Sequence, residues 1–327
     1  MKILLSFFKL FSPETSHLLA LHSLKFLHKT KLLHIFFSKL EDEDFQFLGL
    51  TFKNRLGTAA GLDKNGDYID CLGDLGFGFL EVGTVTPLPQ PGNPKPRVFR
   101  VFKENAVINR LGFNNKGVDH LVNNLKNRKY KGIVGVNIGA NKTSEGQQRI
   151  NDYITCFNRV AEFSDYITIN ISSPNTPGLR NLHSDENIKN LIDAIEQSAI
   201  ALNFVKPIFI KISPDESAET IKSISEHVLN SKVTGLIVSN TTINKDMLEN
   251  SKFKDLDGGL SGSPLMEKST ELLNSVKNEY PDLPIIGAGG VMTKEDFNKK
   301  IESGASLVQI YTGFIIHGPK IIKDILN

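Results

Sequence analysis

The chain is short of cysteine, of net charge and of long apolar runs, and each shortage excludes a class of protein. Its only cysteines are Cys71 and Cys156, with no paired spacing and no CxxC. A disulfide framework or a thiolate metal site is therefore not expected, and a reducing compartment is the simpler reading. Net charge is only +2 over 327 residues, so the whole chain is no electrostatic magnet for nucleic acid. No apolar run reaches the roughly 18 residues of a transmembrane helix. There is also no early GxGxxG, which argues against an open, doubly wound dinucleotide-binding sheet.

What is present points to a large core. Apolar residues make up 40% and charged residues 23%, the profile of a soluble globular protein. The length suits one large α/β barrel or two ordinary domains. From residue 55 onward, short β-rich runs alternate with helical patterns. The runs are Gly57–Ala60, Phe79–Thr84, Ile133–Gly139, Tyr166–Ser173, Ile208–Ser213, Gly235–Asn240, Pro284–Gly290 and Leu307–Thr312. Several are almost wholly apolar, as parallel strands buried on both faces should be. The helical patterns between them include Asn115–Lys126, Asp152–Phe163, Glu186–Leu202, Ala218–Leu229, Lys268–Tyr280 and Lys294–Ser303. Eight such units over about 250 residues predict a (β/α)8 TIM barrel, here spanning 41–327. Pro87–Arg110 holds five prolines and reads as an insertion after the second strand.

Residues 1–40 stand outside the repeat. They carry three short apolar patterns at nearly helical spacing and six lysines against one acid, Glu14, and Ser12-Pro13-Glu14 supplies a helix start. A secretory signal fits poorly, because Lys9 interrupts the apolar stretch and no small-residue cleavage site follows. Two readings stay open on pattern alone: a helical cap packed on the barrel, or a basic amphipathic pair lying on a bilayer.

A barrel builds its active site at the C-terminal ends of its strands. Here those ends carry a polar ring: Ala59–Lys64, Thr84, Asn137, Asn170–Ser173, Lys211, Ser239–Thr242, Gly289–Gly290 and Tyr311–Gly313. Such a ring suits a polar, planar ligand. Glycines after the seventh and eighth strands, with Gly262 from the preceding loop, suit a phosphate held on backbone N–H groups; tight βα turns are the plainer use of any one of them. Lys211 lies inside an apolar strand and needs either an electron-rich ring or an acid on a neighbouring strand. The stretch Asn170–Leu179, with two prolines and a glycine, reads as a lid or as an ordinary polar loop.

These residues fall into long motifs: Ala59-Ala-Gly-Leu-Asp-Lys64, Gly83-Thr-Val-Thr-Pro87, Asn109-Arg-Leu-Gly-Phe-Asn114, Asn170-Ile-Ser-Ser-Pro-Asn-Thr-Pro-Gly178 and Gly258-Gly-Leu-Ser-Gly262. Together they resemble the class 2, quinone-linked dihydroorotate dehydrogenases, from about Leu48 to Lys323 and more loosely over the N-terminal helices. The resemblance implies an FMN enzyme that oxidises dihydroorotate to orotate in pyrimidine synthesis and hands the electrons to a membrane quinone. It implies FMN contacts at Ala59, Ala60, Gly61, Leu62, Asp63, Thr84, Asn137, Asn170, Lys211, Ser239, Gly262, Gly290, Tyr311 and Thr312. Substrate contacts would be Lys64, Asn109, Arg110, Leu111, Gly112, Phe113, Asn170, Asn175, Asn240 and Thr241. Ser173 matches the family's catalytic base, with Thr176 and Phe113 shaping a proton relay. His17, Arg100 and Tyr311 match positions on the quinone path.

The other branch of the family has cysteine where this chain has Ser173, which favours the quinone-linked branch over soluble enzymes using fumarate or NAD. A flavin- or phosphate-binding barrel without turnover is the remaining alternative. With docking through 1–40, the expected location is peripheral, on the cytoplasmic face of the inner membrane.

Overall fold

The structure is a computed structural model that describes residues 10–37, 43–175, 185–249 and 251–327. The chain first forms a hairpin, β1 (Phe45–Phe47) and β2 (Leu50–Phe52), turning on Leu48 and Gly49, both at positive φ. Eight parallel strands then close into a barrel: β3 (Leu56–Thr58), β4 (Phe79–Val85), β7 (Ile133–Ile138), β8 (Tyr166–Asn170), β9 (Ile208–Ile212), β10 (Gly235–Val238), β12 (Ile285–Ala288) and β13 (Leu307–Ile310), with β13 pairing back onto β3. The expected TIM barrel is what forms.

All eight strands lie where the pattern of apolar runs placed them, but most stop one to three residues sooner. The polar residues at their ends leave the ladder and spend their hydrogen bonds on side chains around the mouth. Strand β8 shows this: pairing ends at Asn170, and Ser172 instead gives both its N–H and its hydroxyl to the Asn170 side chain, at 3.2 and 3.1 Å.

The outer helices follow from one apolar stripe each. Ala218–Leu229 starts at Ser217, whose hydroxyl accepts the Thr220 N–H, and it buries Ile224 and Val228. Lys294–Glu302 begins with a reciprocal capping box between Thr293 and Asp296. The helix expected from Asp152 starts earlier, at Gly146, because its polar first turn has no apolar periodicity to show it.

The proline-rich insertion supplies β5 (Val98–Val101) and β6 (Ala106–Asn109), an antiparallel pair. The segment Gly259–Gly262, read above as a glycine loop, is strand β11 and extends that pair as a third strand beside the barrel mouth. Within the described part of 1–40, Ser12 caps a helix running from Pro13 to Lys29, which buries Leu21 and Leu24 and packs on the short helix Ile69–Gly73. No helix among the described residues is long and apolar enough to cross a membrane.

Candidate active site

The strand ends and the loops that follow them surround one cavity of about 1010 Å³, its open mouth included. Of the residues anticipated for a cofactor, Ala59, Ala60, Gly61, Thr84, Asn170, Lys211, Ser239, Gly262, Gly290, Tyr311 and Thr312 line it. Of those anticipated for a substrate, Lys64, Asn109, Leu111, Gly112, Phe113, Asn170, Asn175, Asn240 and Thr241 line it, and so does Ser173. Thr176 lies outside the described residues.

At one side the cavity is walled by amides. Asn240 donates to the Ser172 hydroxyl at 2.9 Å, and its carbonyl oxygen accepts the Thr241 N–H at 2.8 Å, which fixes which way the amide faces. The Asn175 amide donates to the Asn109 side-chain oxygen only at 3.5 Å, so among the described residues most of its hydrogen-bonding capacity stays free for a ligand. Asn93, from the insertion, ties the Asn175 and Arg110 carbonyls together at 3.2 and 3.0 Å. Ser173 is 5% exposed, and its hydroxyl oxygen accepts the Asn175 N–H at 3.3 Å. That bond holds the oxygen in place, and among the described residues it leaves the proton uncommitted.

Another part of the lining is built from backbone. Gly262, Gly289 and Gly290 all have positive φ, and at Gly290 a Cβ would lie 2.2 Å from the Met266 Cα. No larger residue fits there, so the bare backbone faces the cavity. Thr312 stands beside it, donating to the Ser261 hydroxyl at 2.8 Å.

Beneath this lining lie buried charged and polar groups. Lys211 is 5% exposed; burial pulls its pKa down while Glu81 pulls it up. Glu81 is 1% exposed and was not singled out in the sequence. Its carboxylate accepts from Asn137 (2.9 Å), Tyr166 (3.0 Å), Thr168 (3.1 Å) and Gln309 (2.7 Å). Because the Asn137 NH₂ is spent on Glu81, its carbonyl oxygen faces the mouth and accepts from Thr84 at 2.6 Å. Thr84 in turn accepts from Asn170 at 3.0 Å. A buried acid thus sets the orientation of the amides above it.

After β3 the chain turns around Asp63, whose carboxylate accepts the N–H groups of Asn65, Asp67 and Tyr68 at 3.3, 3.0 and 2.7 Å. The turn presents Lys64 to the cavity. Burial lowers the Lys64 pKa to about 8, against the pull of Glu14. The N-terminal helix closes over this turn. His17 contacts the Leu62 carbonyl at 2.9 Å, Glu14 pairs with Arg97 at 2.9 Å, and Arg100 donates to Ser16 at 3.3 Å. Burial, with the Lys64 charge, lowers the His17 pKa to about 4. Tyr311 lines the cavity against Gly61.

Four anticipated contacts do not line the cavity. Leu62 is in the apolar core, and Asp63 faces the turn that it organises. Asn137 is fully buried one layer below the mouth, and Arg110 points outward to the Pro96 carbonyl and toward Asp257. Motif position placed them correctly in the chain, but side-chain direction turns on three-dimensional packing. Conversely, Gln309, Ser261, Leu265 and Met292 line the cavity without having been anticipated. Alternation along Leu307–Ile310 turns Gln309 inward, the one signal that could have found it. Among the described residues no cluster of side chains could hold a metal ion.

The family described as dihydroorotate dehydrogenase matches residues 44–327. The chain belongs to that family, in its quinone-dependent class. Dihydroorotate dehydrogenase (quinone) of Saccharophagus degradans is 47% identical over 97% of this chain and 95% of its own. The protein of the same name from Psychromonas ingrahamii is 44% identical over 100% and 98%. A ligand-free crystal structure of the Eimeria tenella dihydroorotate dehydrogenase superposes with a TM-score of 0.85 at 36% identity, covering 94% of this chain and 92% of that one. A complex of the Eimeria tenella enzyme with ferulenol gives 0.81 at 37%, covering 86% and 82%. The chain is accordingly an oxidoreductase.

Proposed function

We propose that the enzyme oxidises (S)-dihydroorotate to orotate with FMN as its cofactor and a membrane quinone as final acceptor, as a step in pyrimidine synthesis. The observation that carries this reading is one cavity lined at once by asparagine amides, Lys64, Ser173, Lys211 and a bare glycine cradle. That donor set fits FMN. Gly262, Gly290 and Thr312 would hold its phosphate, and Lys211 would stand by the ring, where a buried ammonium meets any negative charge that accumulates. When bound, FMN supplies the hydride acceptor and the link to quinone.

The remaining roles belong to the chain's own side chains. Lys64 balances the substrate carboxylate. Asn109, Asn175 and Asn240 read the amide edges of the ring, since each side chain offers both a donor and an acceptor. Ser173 Oγ takes the proton from substrate C5, helped by a relay that carries it onward, because an unaided serine is a poor base. Phe113 would border that relay; Thr176, its other expected member, lies outside the described residues. Phe113 is 9% exposed at positive φ and lines the same cavity as the serine, where it would help exclude bulk water.

Delivery to quinone rests on the N-terminal helix. Its inner face docks on the barrel, while Leu18, Leu19 and Phe26 stand exposed on another face, followed by Leu32 and Ile35. An apolar face edged by Lys29 and Lys31 suits a bilayer surface. Quinone would enter beneath it, past His17, Arg100 and Tyr311. The enzyme would then be peripheral, on the cytoplasmic face of the inner membrane.

An anaerobic spectrum tests the reading in one cuvette. Flavin absorbance should bleach on adding dihydroorotate and return on adding a soluble quinone. Flavin that stays oxidised with dihydroorotate would overturn the reading. Bleaching that only fumarate or NAD reverses would overturn the acceptor.

A further inference from the structure

Behind the glycine cradle lies a charge with no part in the chemistry above. Lys300, on the helix Lys294–Glu302, is 0% exposed, and so is Ser269 on the neighbouring helix Met266–Glu279. The Lys300 ammonium donates to the Ser269 hydroxyl at 2.6 Å. Among the described residues no acid comes within ion-pair distance of it; Asp296, one turn back, is spent on the N–H groups of Met292 and Thr293 at 2.9 and 3.1 Å. With its oxygen accepting from Lys300, Ser269 has one proton to give. It lies 3.0 Å from the Gly289 carbonyl and 3.2 Å from the Met266 carbonyl.

The Gly289 carbonyl and the Gly290 N–H belong to one planar, trans peptide, so they point in opposite directions. Anchoring the carbonyl toward Ser269 therefore aims the Gly290 N–H away from the helices. Gly290 lines the cavity, and its N–H makes no hydrogen bond with any described residue. A chain running from an ammonium through a hydroxyl to a carbonyl also polarises that peptide and makes its N–H a stronger donor.

We infer that Lys300 is a positioning residue for an anionic phosphate: through Ser269 and the Gly289 carbonyl it orients and strengthens the Gly290 N–H, and it places a fixed positive charge behind the cradle. The inference rests on the cofactor reading above and deepens it. Packing alone does not account for a charged end at this place. A methionine would fill similar space without the cost of burying an ammonium. Burial lowers the Lys300 pKa to about 7, so an anion seated nearby favours the charged form and is favoured by it.

The test compares two ligands that differ only in the phosphate. Full-length protein freed of flavin is titrated with FMN and with riboflavin, following the quenching of flavin fluorescence. Lys300→Met should weaken FMN about tenfold, the scale of one charge-assisted contact, and leave riboflavin within about twofold. Ser269→Ala should lose part of the same FMN affinity and none for riboflavin, and adding it to Lys300→Met should cost little more, because the two act in one chain. Equal losses for both ligands would reduce Lys300 to a packing role and overturn the inference. So would unchanged FMN binding in both single variants. If Lys300→Met fails to fold, Ser269→Ala decides alone by the same comparison. Wild-type protein that binds neither ligand would bring down the cofactor reading itself, and that result is separate from any loss confined to the variants.

Discussion

At the N-terminal end of the barrel Phe79, Tyr166 and Phe209 pack ring against ring with Phe52 of the β1–β2 hairpin, whereas at the C-terminal end the barrel strands deliver amides, hydroxyls and lysines. Phe52 and Phe79 meet edge to face at 5.5 Å, and Tyr166 and Phe209 at 5.7 Å. The rings occupy space that glycines leave open. A Cβ on Gly57 would lie 2.4 Å from the Phe79 ring, and one on Gly135 would lie 2.0 Å from that of Tyr166. The closed end has almost nothing but packing to contribute, and the open end gives up packing to hold polar groups around a cavity. Stability and chemistry should therefore be separable by substitution at opposite ends.

The largest effect is expected at the closed end. Phe79→Ala removes a fully buried ring and should cost about 3–5 kcal/mol of stability, the range for such truncations, as read by denaturant unfolding. The rate of flavin reduction per folded molecule should be unchanged. A fall in that rate comparable to the loss of stability would show that the two ends are coupled. The mirror experiment is Ser173→Ala. It should slow flavin reduction by dihydroorotate on the order of 10²-fold, the scale of a lost general base, and leave unfolding where it was. Near-normal reduction in a stopped-flow trace would remove Ser173 from its role.

A pH series sharpens the comparison at the rim, where the N-terminal helix meets the mouth. The folded-state pKa of His17 is depressed from 6.5 to about 4. The unfolded chain thus takes up a proton that the docked helix refuses. The stability that neutral His17 contributes is present above about pH 6.5 and is lost as pH falls toward 4. Lys64 and Glu14 face the imidazole, and the Lys64 charge adds to the penalty of protonating it while Glu14 relieves part of it. His17→Gln should flatten the stability profile over that window; an unchanged slope would place the acid sensitivity elsewhere.

The closed end and the open end also differ in how far they could be read in advance. Runs such as Ile208–Ile212 are apolar on both faces, and that pattern belongs to the strand itself, so the barrel was legible from local sequence. Lys211, Ser173 and the glycines were legible because they interrupt or end such runs. Glu81 was not, although it lies in the middle of an apolar run, because its meaning depends on Asn137, Tyr166, Thr168 and Gln309 arriving from three other strands. Strand β11 was hidden for a related reason. Gly259–Gly262 has little strand propensity of its own and is extended because β6 pairs with it. Asn137 and Arg110 were placed by motif, and motif position does not say which way a side chain turns.

The smallest effect on chemistry is expected from the outer face of the N-terminal helix, where the barrel comparison meets the membrane. Leu19 and Phe26 are seven residues apart, on one face of the helix, and are 38% and 64% exposed. The face that carries Leu21 and Leu24 is already buried against the barrel, so docking of the helix does not require the outer residues. Leu19→Glu with Phe26→Glu should therefore leave flavin reduction within about twofold and stability nearly intact, since exposed substitutions away from caps and networks cost little. The same pair should lower co-sedimentation with liposomes by tenfold or more, because each apolar side chain inserted among lipids is worth about 1.5–3 kcal/mol. Turnover with a quinone dissolved in the bilayer should fall in step, and turnover with a water-soluble quinone should not. Liposome binding that survives both substitutions would mean that this face does not dock, and the exposed apolar residues would then need another explanation.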